Sequence, residues 1–449
     1  MTLPRASLLA ALALAACPAR QTPSPPAADN PAPAAPAAPV AQAPVAPPPT
    51  PTPTPATAPE SSMDDQRAAA QGLNRLGTDL YARLRSQAGN LAVAPGSIAI
   101  AFGMTEAGAR GDTLEEMRRV LHSGLDATRQ AAALGALSAR WNGGLGDGVT
   151  ARTANRLFGH QRYAFEAPYV ALTGSAFAAP LERVDFAGAS AARARINGWV
   201  AEQTMDKIRD LLPDGAVNAD TRLVLVNAMY LRAPWETPFP EHATRDEAFH
   251  VGGGAAGTPV PTMSLSGRLS YAQGAGFKAV ELPYRGGQLA MDILLPDARD
   301  GLPALEAQLT SERIQATVDA LSPSQVALRL PRFRVSTESL SLRGALTALG
   351  MNLPFDRNRA DFTGMANPPS PADRLFISDA FHKVFVDVAE AGTEAAAATA
   401  VVMGRRGRLP PSAPPTPFVV DRPFVFIIRD LRTGAVLFLG RVLDPRPAG

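Results

Sequence analysis

The chain has 449 residues, 46% of them hydrophobic and 19% charged, with a formal net charge of +2. Its length allows two or three domains or one large one. So weak a charge excludes the electrostatic footprint of a nucleic-acid binder, and a single cysteine excludes any intramolecular disulfide.

At the N-terminus Arg5 precedes an apolar run from Ala6 to Ala16. The run is too short to span a bilayer and predicts a secretory signal over residues 1–16. It ends in Leu14-Ala15-Ala16-Cys17, which resembles a bacterial lipobox, where the cysteine is lipidated and becomes the mature N-terminus. The alternative is an ordinary signal peptide with an incidental Cys17. From Pro18 to about Pro59 the chain is almost entirely Pro, Ala, Thr and Val, too poor in large apolar side chains to offset chain entropy. The expected organisation is therefore a signal peptide (1–16), lipidated Cys17 with a disordered tether (17–61), and a folded domain (62–449). The expected location is outside the cytoplasm, on a bacterial membrane through the lipid, with the outer membrane or cell surface favoured.

Ser61 and Ser62 ahead of Asp64 and Asp65 predict a helix start, and Leu73, Leu76, Leu80 and Leu84 continue it at helical spacing. Later the period changes. Leu223 to Leu231, Leu289 to Leu295, Val326 to Leu330, Phe424 to Ile428 and Ala435 to Leu439 read as strands buried on both faces. Helical patterns dominate the first part and strands the later part, with no internal repeat, which predicts a single α+β domain.

Enzymatic signatures are missing from the sequence. Its five histidines form no HExxH pair, and no cysteine is free to join them at a metal. There is no G-x-S-x-G elbow, and Gly143, Gly144, Gly146 and Gly148 lack the phosphate-loop pattern and read as a turn. The chain is not expected to be an enzyme or to need a cofactor.

Two C-terminal segments carry the strongest signal. Glu390-Ala391-Gly392-Thr393-Glu394-Ala395-Ala396-Ala397-Ala398-Thr399 resembles the reactive-loop hinge of inhibitory serpins, and Phe418-Val419-Val420-Asp421-Arg422-Pro423-Phe424 resembles that family's C-terminal signature. Earlier matches are NLAVAPGSI around Ser97, Gly108-Ala109-Arg110-Gly111, Ala154-Asn155, Leu225-Val226-Asn227-Ala228 leading to Trp235, and His382-Lys383. The resemblance implies the serpin fold, with helices around three β-sheets and an exposed reactive loop. It also implies that Ser97, Asn227 and His382 belong to the polar cluster controlling sheet opening, and that Trp235 lies beneath the point where the loop enters. Departures are Ala94 in place of serine, Asp206 in place of glycine or asparagine, and Ala391 in place of a charged residue.

The hinge pattern suits strand insertion. In a strand, successive side chains face opposite sides, so Thr393, Ala395, Ala397, Thr399 and Val401 would share one face, free of charge. A close-packed interior accepts only such a face, because an unpaired buried charge is expensive. By family resemblance the scissile residue lies fourteen positions beyond Gly392, which gives Arg406-Gly407, with Arg405 and Arg408 as register alternatives. Arginine there suits a protease whose specificity pocket holds a buried aspartate, the trypsin arrangement. The resemblance thus implies a monomeric suicide-substrate inhibitor of a trypsin-like serine protease. The alternative is a non-inhibitory serpin-fold binding or carrier protein at the cell surface.

Overall fold

The computed structural model describes residues 60–146, 148–178, 181–394 and 414–446. The predicted signal segment, Cys17 and nearly all of the tether lie outside these residues. So do Ala395, Ala396, Ala397 and Ala398 of the hinge and the predicted reactive bond at Arg406-Gly407 with its neighbours Arg405 and Arg408.

The described part opens with α1 (Met63–Leu84). Ser62 caps it by accepting from the Asp65 amide at 3.1 Å, and Asp64 and Asp65 place negative charge at the positive end of the helix dipole. Leu73, Leu76, Leu80 and Leu84 are all buried on its inner face. In α2 (Pro95–Glu106) every residue is buried, as expected for a helix that is apolar all round. Three further helices, α3 (Gly111–Leu121), α4 (Ala127–Gly143) and α5 (Ala167–Phe177), pack with these, and α6 (Ala189–Gln203) lies apart.

The strands in chain order are β1 (Leu91–Val93), β2 (Thr150–His160), β3 (Glu182–Val184), β4 (Leu223–Pro234), β5 (Arg245–Phe249), β6 (Thr258–Gln273), β7 (Phe277–Pro283) and β8 (Leu289–Pro296). They continue as β9 (Ser322–Pro331), β10 (Phe333–Ser336), β11 (Leu340–Ser341), β12 (Asp379–Ala389), β13 (Gly392–Thr393), β14 (Thr416–Val419), β15 (Phe424–Asp430) and β16 (Val436–Val442). One sheet has the order β1-β16-β15-β8-β7-β6-β9-β14, with β5 on β6, and the other has the order β10-β12-β13-β4-β2-β3, with β11 on β12.

The second sheet is covered on both faces. Leu223, Leu225, Met229, Leu231 and Ala233 of β4 face the main core, where α2 lies. The alternating Val224, Val226 and Ala228 face a smaller core with Ile196, Trp199 and Val200 of α6. This is why β4 reads as a continuous apolar run. By contrast β2, with the sequence TARTANRLFGH, does not read as a strand at all. It is held extended by antiparallel pairing with β4 from Thr150 opposite Arg232 to Gly159 opposite Leu223, so tertiary pairing overrides a weak local pattern. Helices do dominate the first part as expected, with β1, β2 and β3 interspersed among them.

Candidate functional site

Strands β4 and β12 run parallel and pair directly from Val224 opposite Asp379 to Tyr230 opposite Phe385. Beyond that point they separate, and the two-residue β13 lies between them. Gly392 stands opposite Pro234 on one side and Ala389 on the other, and Thr393 opposite Ala233 and Val388, antiparallel to both neighbours. The hinge has therefore already entered the sheet by two residues.

Sequence explains the shape of this entry. Gly392 has φ 147°, a backbone region closed to L side chains, and a Cβ there would meet the Ala233 carbonyl oxygen at 2.2 Å. Thr393 is fully buried, and its hydroxyl lies 2.6 Å from that of Tyr284. Trp235 stacks on Tyr284 with ring centres 4.5 Å apart and planes 11° from parallel. Its indole Nε1 donates to the Ala389 carbonyl at 3.0 Å, its backbone N–H donates to that of Ala391 at 3.0 Å, and the Phe239 N–H donates to that of Glu390 at 2.9 Å. Trp235 thus holds the turn that leads into the sheet.

Glu390 is fixed from the side. Its Oε1 accepts from Thr244 at 2.5 Å and from Arg332 at 2.8 Å. Burial raises its pKa, but these donors outweigh that effect and hold the carboxyl below the usual range. The next carboxylate, Glu394, pairs with Lys207 instead.

Further along the seam a buried polar cluster joins β2, β4, β12 and α2. His382 Nδ1 donates to Asn227 Oδ1 at 2.5 Å, while its Nε2 accepts from the Ala94 amide at 3.0 Å. The Asn227 amide group donates to Ser97 Oγ at 2.7 Å and to Asn155 Oδ1 at 2.8 Å, and Ser97 donates to Asn155 Oδ1 at 2.9 Å. A buried asparagine inside an apolar strand must find partners, and this one does. Complete burial opposes a charge on His382 and lowers its pKa to about 3, so the ring stays neutral and Nε2 remains an acceptor. At Ala94, where the family usually has serine, the bond to His382 is made by the backbone amide.

Ser97, Asn227 and His382 thus come together in one cluster, and Trp235, Glu390, Gly392 and Thr393 in another at the open end of the same seam. Sequence reasoning assigned no role to Asn155, Tyr284, Arg332 or Lys207. Asn155 alone left a signal, because a polar residue between buried Ala154 and Leu157 asks for a partner.

A family model described as "Serpin (serine protease inhibitor)" matches residues 71–445. Leukocyte elastase inhibitor of Bos taurus is 38% identical over 392 residues, covering 85% of this chain and 100% of that protein. Antithrombin-III of Mus musculus is 33% identical over 381 residues, covering 83% of this chain and 80% of that protein. Among solved structures, that of a highly specific serpin of the insect Tenebrio molitor superposes with a TM-score of 0.74 at 30% identity, covering 86% of this chain and all of that one. The chain belongs to the serpin family, and its α+β architecture is the serpin fold.

Proposed function

We propose that the chain inhibits a trypsin-like serine protease as a suicide substrate. The protease serine attacks the Arg406 carbonyl, the Arg406-Gly407 peptide bond breaks, and the amine of Gly407 leaves with a proton. The loop then inserts between β4 and β12 before water can hydrolyse the acyl ester. The observation that carries this reading is β13, because the hinge already occupies the open end of the seam in a defined antiparallel register.

Carried on to Thr399, that register sets the residue opposite both Asn227 and His382, which already face one another across the seam. The strand can therefore enter without shifting β4 or β12 along their length. Thr399 would share the core-facing side with Thr393 and bring a hydroxyl to the point where the His382–Asn227 hydrogen bond must open. Each ladder hydrogen bond nets roughly 1 kcal/mol, so full insertion would release on the order of 10 kcal/mol. A release of that size is comparable to the whole stability of a domain.

Anchoring through lipid on Cys17 at a bacterial membrane, with the Pro-rich segment as spacer and a monomeric inhibitory domain, belongs to the same reading and is supported by the lipobox pattern. The test of inhibition is incubation with trypsin followed by a denaturing gel. A complex that survives denaturation, with a released peptide beginning at Gly407, supports the assignment. Cleavage in the loop without any complex would overturn it.

A further inference from the structure

Strand β13 ends at Thr393, and the described residues contain a reason. In the register of β13 the next residue would lie between Arg232 and Asp387 with an extended backbone. Glu394 instead has φ 50°, the left-handed region that a non-glycine residue adopts only at a cost, and this breaks the extended geometry at that residue. Such a conformation has to be held. The Glu394 amide still makes the ladder bond to the Asp387 carbonyl at 2.7 Å, so the contact that distinguishes the turned state is the pairing of its carboxylate, 8% exposed, with Lys207.

Lys207 sits on a segment that is itself strained. Between the end of α6 and Leu212, Met205, Asp206 and Asp210 all have positive φ, at 50°, 61° and 51°. Glycine or asparagine would adopt φ 61° more easily than Asp206 does. The segment reaches across the seam on the outer face of the sheet. It starts from α6, which packs over β2 and β4, and touches β12 through Lys207, 5.6 Å above the Phe385 ring, and through the Arg209 carbonyl, which accepts from Lys383 at 3.0 Å. Asn197 fixes its far end by bonding both the N–H and the carbonyl of Leu212.

We infer that the Lys207–Glu394 ion pair is an autoinhibitory latch, carried on this strap, that holds the loop at two inserted residues until cleavage drives it further. The inference rests on the insertion mechanism proposed above. Glu394 cannot become extended while the left-handed turn and its ion pair persist, and Lys207 lies over the stretch of seam that must open next. The pair therefore stabilises the resting state against premature insertion of the intact loop.

The test is the rate at which uncleaved protein converts, at raised temperature, to a form that melts higher because its loop has inserted. Lys207→Ala and Glu394→Ala should each convert about fivefold to tenfold faster than wild type. The double variant should convert no faster than the quicker single one, since both remove the same contact. Conversion of both single variants at the wild-type rate, or fully additive acceleration in the double variant, overturns the latch. Loop cleavage serves as the control on each protein. If cleavage raises the melting temperature while the variants convert normally, the latch fails and insertion stands. If cleavage raises the melting temperature of none of them, insertion fails and the latch with it.

Discussion

The hydroxyls of Thr393 and Tyr284 lie 2.6 Å apart, with both side chains completely removed from solvent. The first inserted side chain is thereby satisfied by a tyrosine that directly follows β7, and Trp235 stacks on that tyrosine. Replacing Thr393 by arginine would force an unpaired charge into this site at a cost of several kcal/mol, so it should expel the hinge from the resting sheet and oppose its return during trapping. Thr393→Arg should still be cut by trypsin, but deacylation should overtake trapping, so the gel shows cleaved protein in place of complex. Tyr284→Phe is milder. It leaves the buried Thr393 hydroxyl without its partner and should lower the stability of the intact protein by about 1–3 kcal/mol, read from denaturant unfolding.

Acid should loosen the seam at His382. The folded protein keeps this ring neutral down to about pH 3, while a free histidine takes its proton near pH 6.5. Between those values the unfolded state binds more protons, so stability falls as pH falls, by up to about 1.4 kcal/mol per pH unit. Glu390, whose pKa is depressed, adds in the same direction at lower pH, its contribution being lost as pH drops below the usual carboxylate range. Melting temperatures measured from pH 7 to pH 4 should decline more steeply in wild type than in His382→Gln. Parallel curves would mean that His382 does not set this dependence.

Thr399 gives a test of register. If it comes to lie between Asn227 and His382, then Thr399→Arg should let the first part of the loop enter and stop it at the polar cluster. Acylation should be unaffected, complex yield should fall, and the gain in melting temperature on cleavage should be well below that of wild type. A full gain would place Thr399 on the other face.

Membrane attachment is tested separately through Cys17. Cys17→Ser should lose its acyl groups and leave the membrane fraction, and mass spectrometry of the wild-type N-terminal peptide should find lipid on the cysteine. Unmodified wild type in the soluble fraction would contradict the anchor.

Much of the site was legible because its requirements are local. The alternation that places Thr393 on a neutral face follows from strand geometry and the need of Asn227 for partners from its apolar strand, whereas Gly392 was marked by resemblance to the serpin hinge. What sequence could not reveal depends on pairing between distant segments. Tyr284 and Thr393 are 109 residues apart, Asn155 and Asn227 are 72 apart, and Lys207 meets Glu394 only because α6 delivers its segment across the seam. Composition can state that a strand is able to insert, but how far it has entered at rest is set by the balance of the Glu394 turn against the next rung of the ladder. β2 was missed for a related reason, its extended form being imposed by β4 over ten paired positions.

Loop insertion is tested most directly by melting the protein intact and after cleavage at Arg406-Gly407. Insertion of the freed strand between β4 and β12 adds hydrogen bonds and relieves the Glu394 turn, and it predicts a melting temperature higher by on the order of 10 °C or more in the cleaved form. Equal melting temperatures would contradict insertion and leave the serpin fold here as a binding or carrier scaffold.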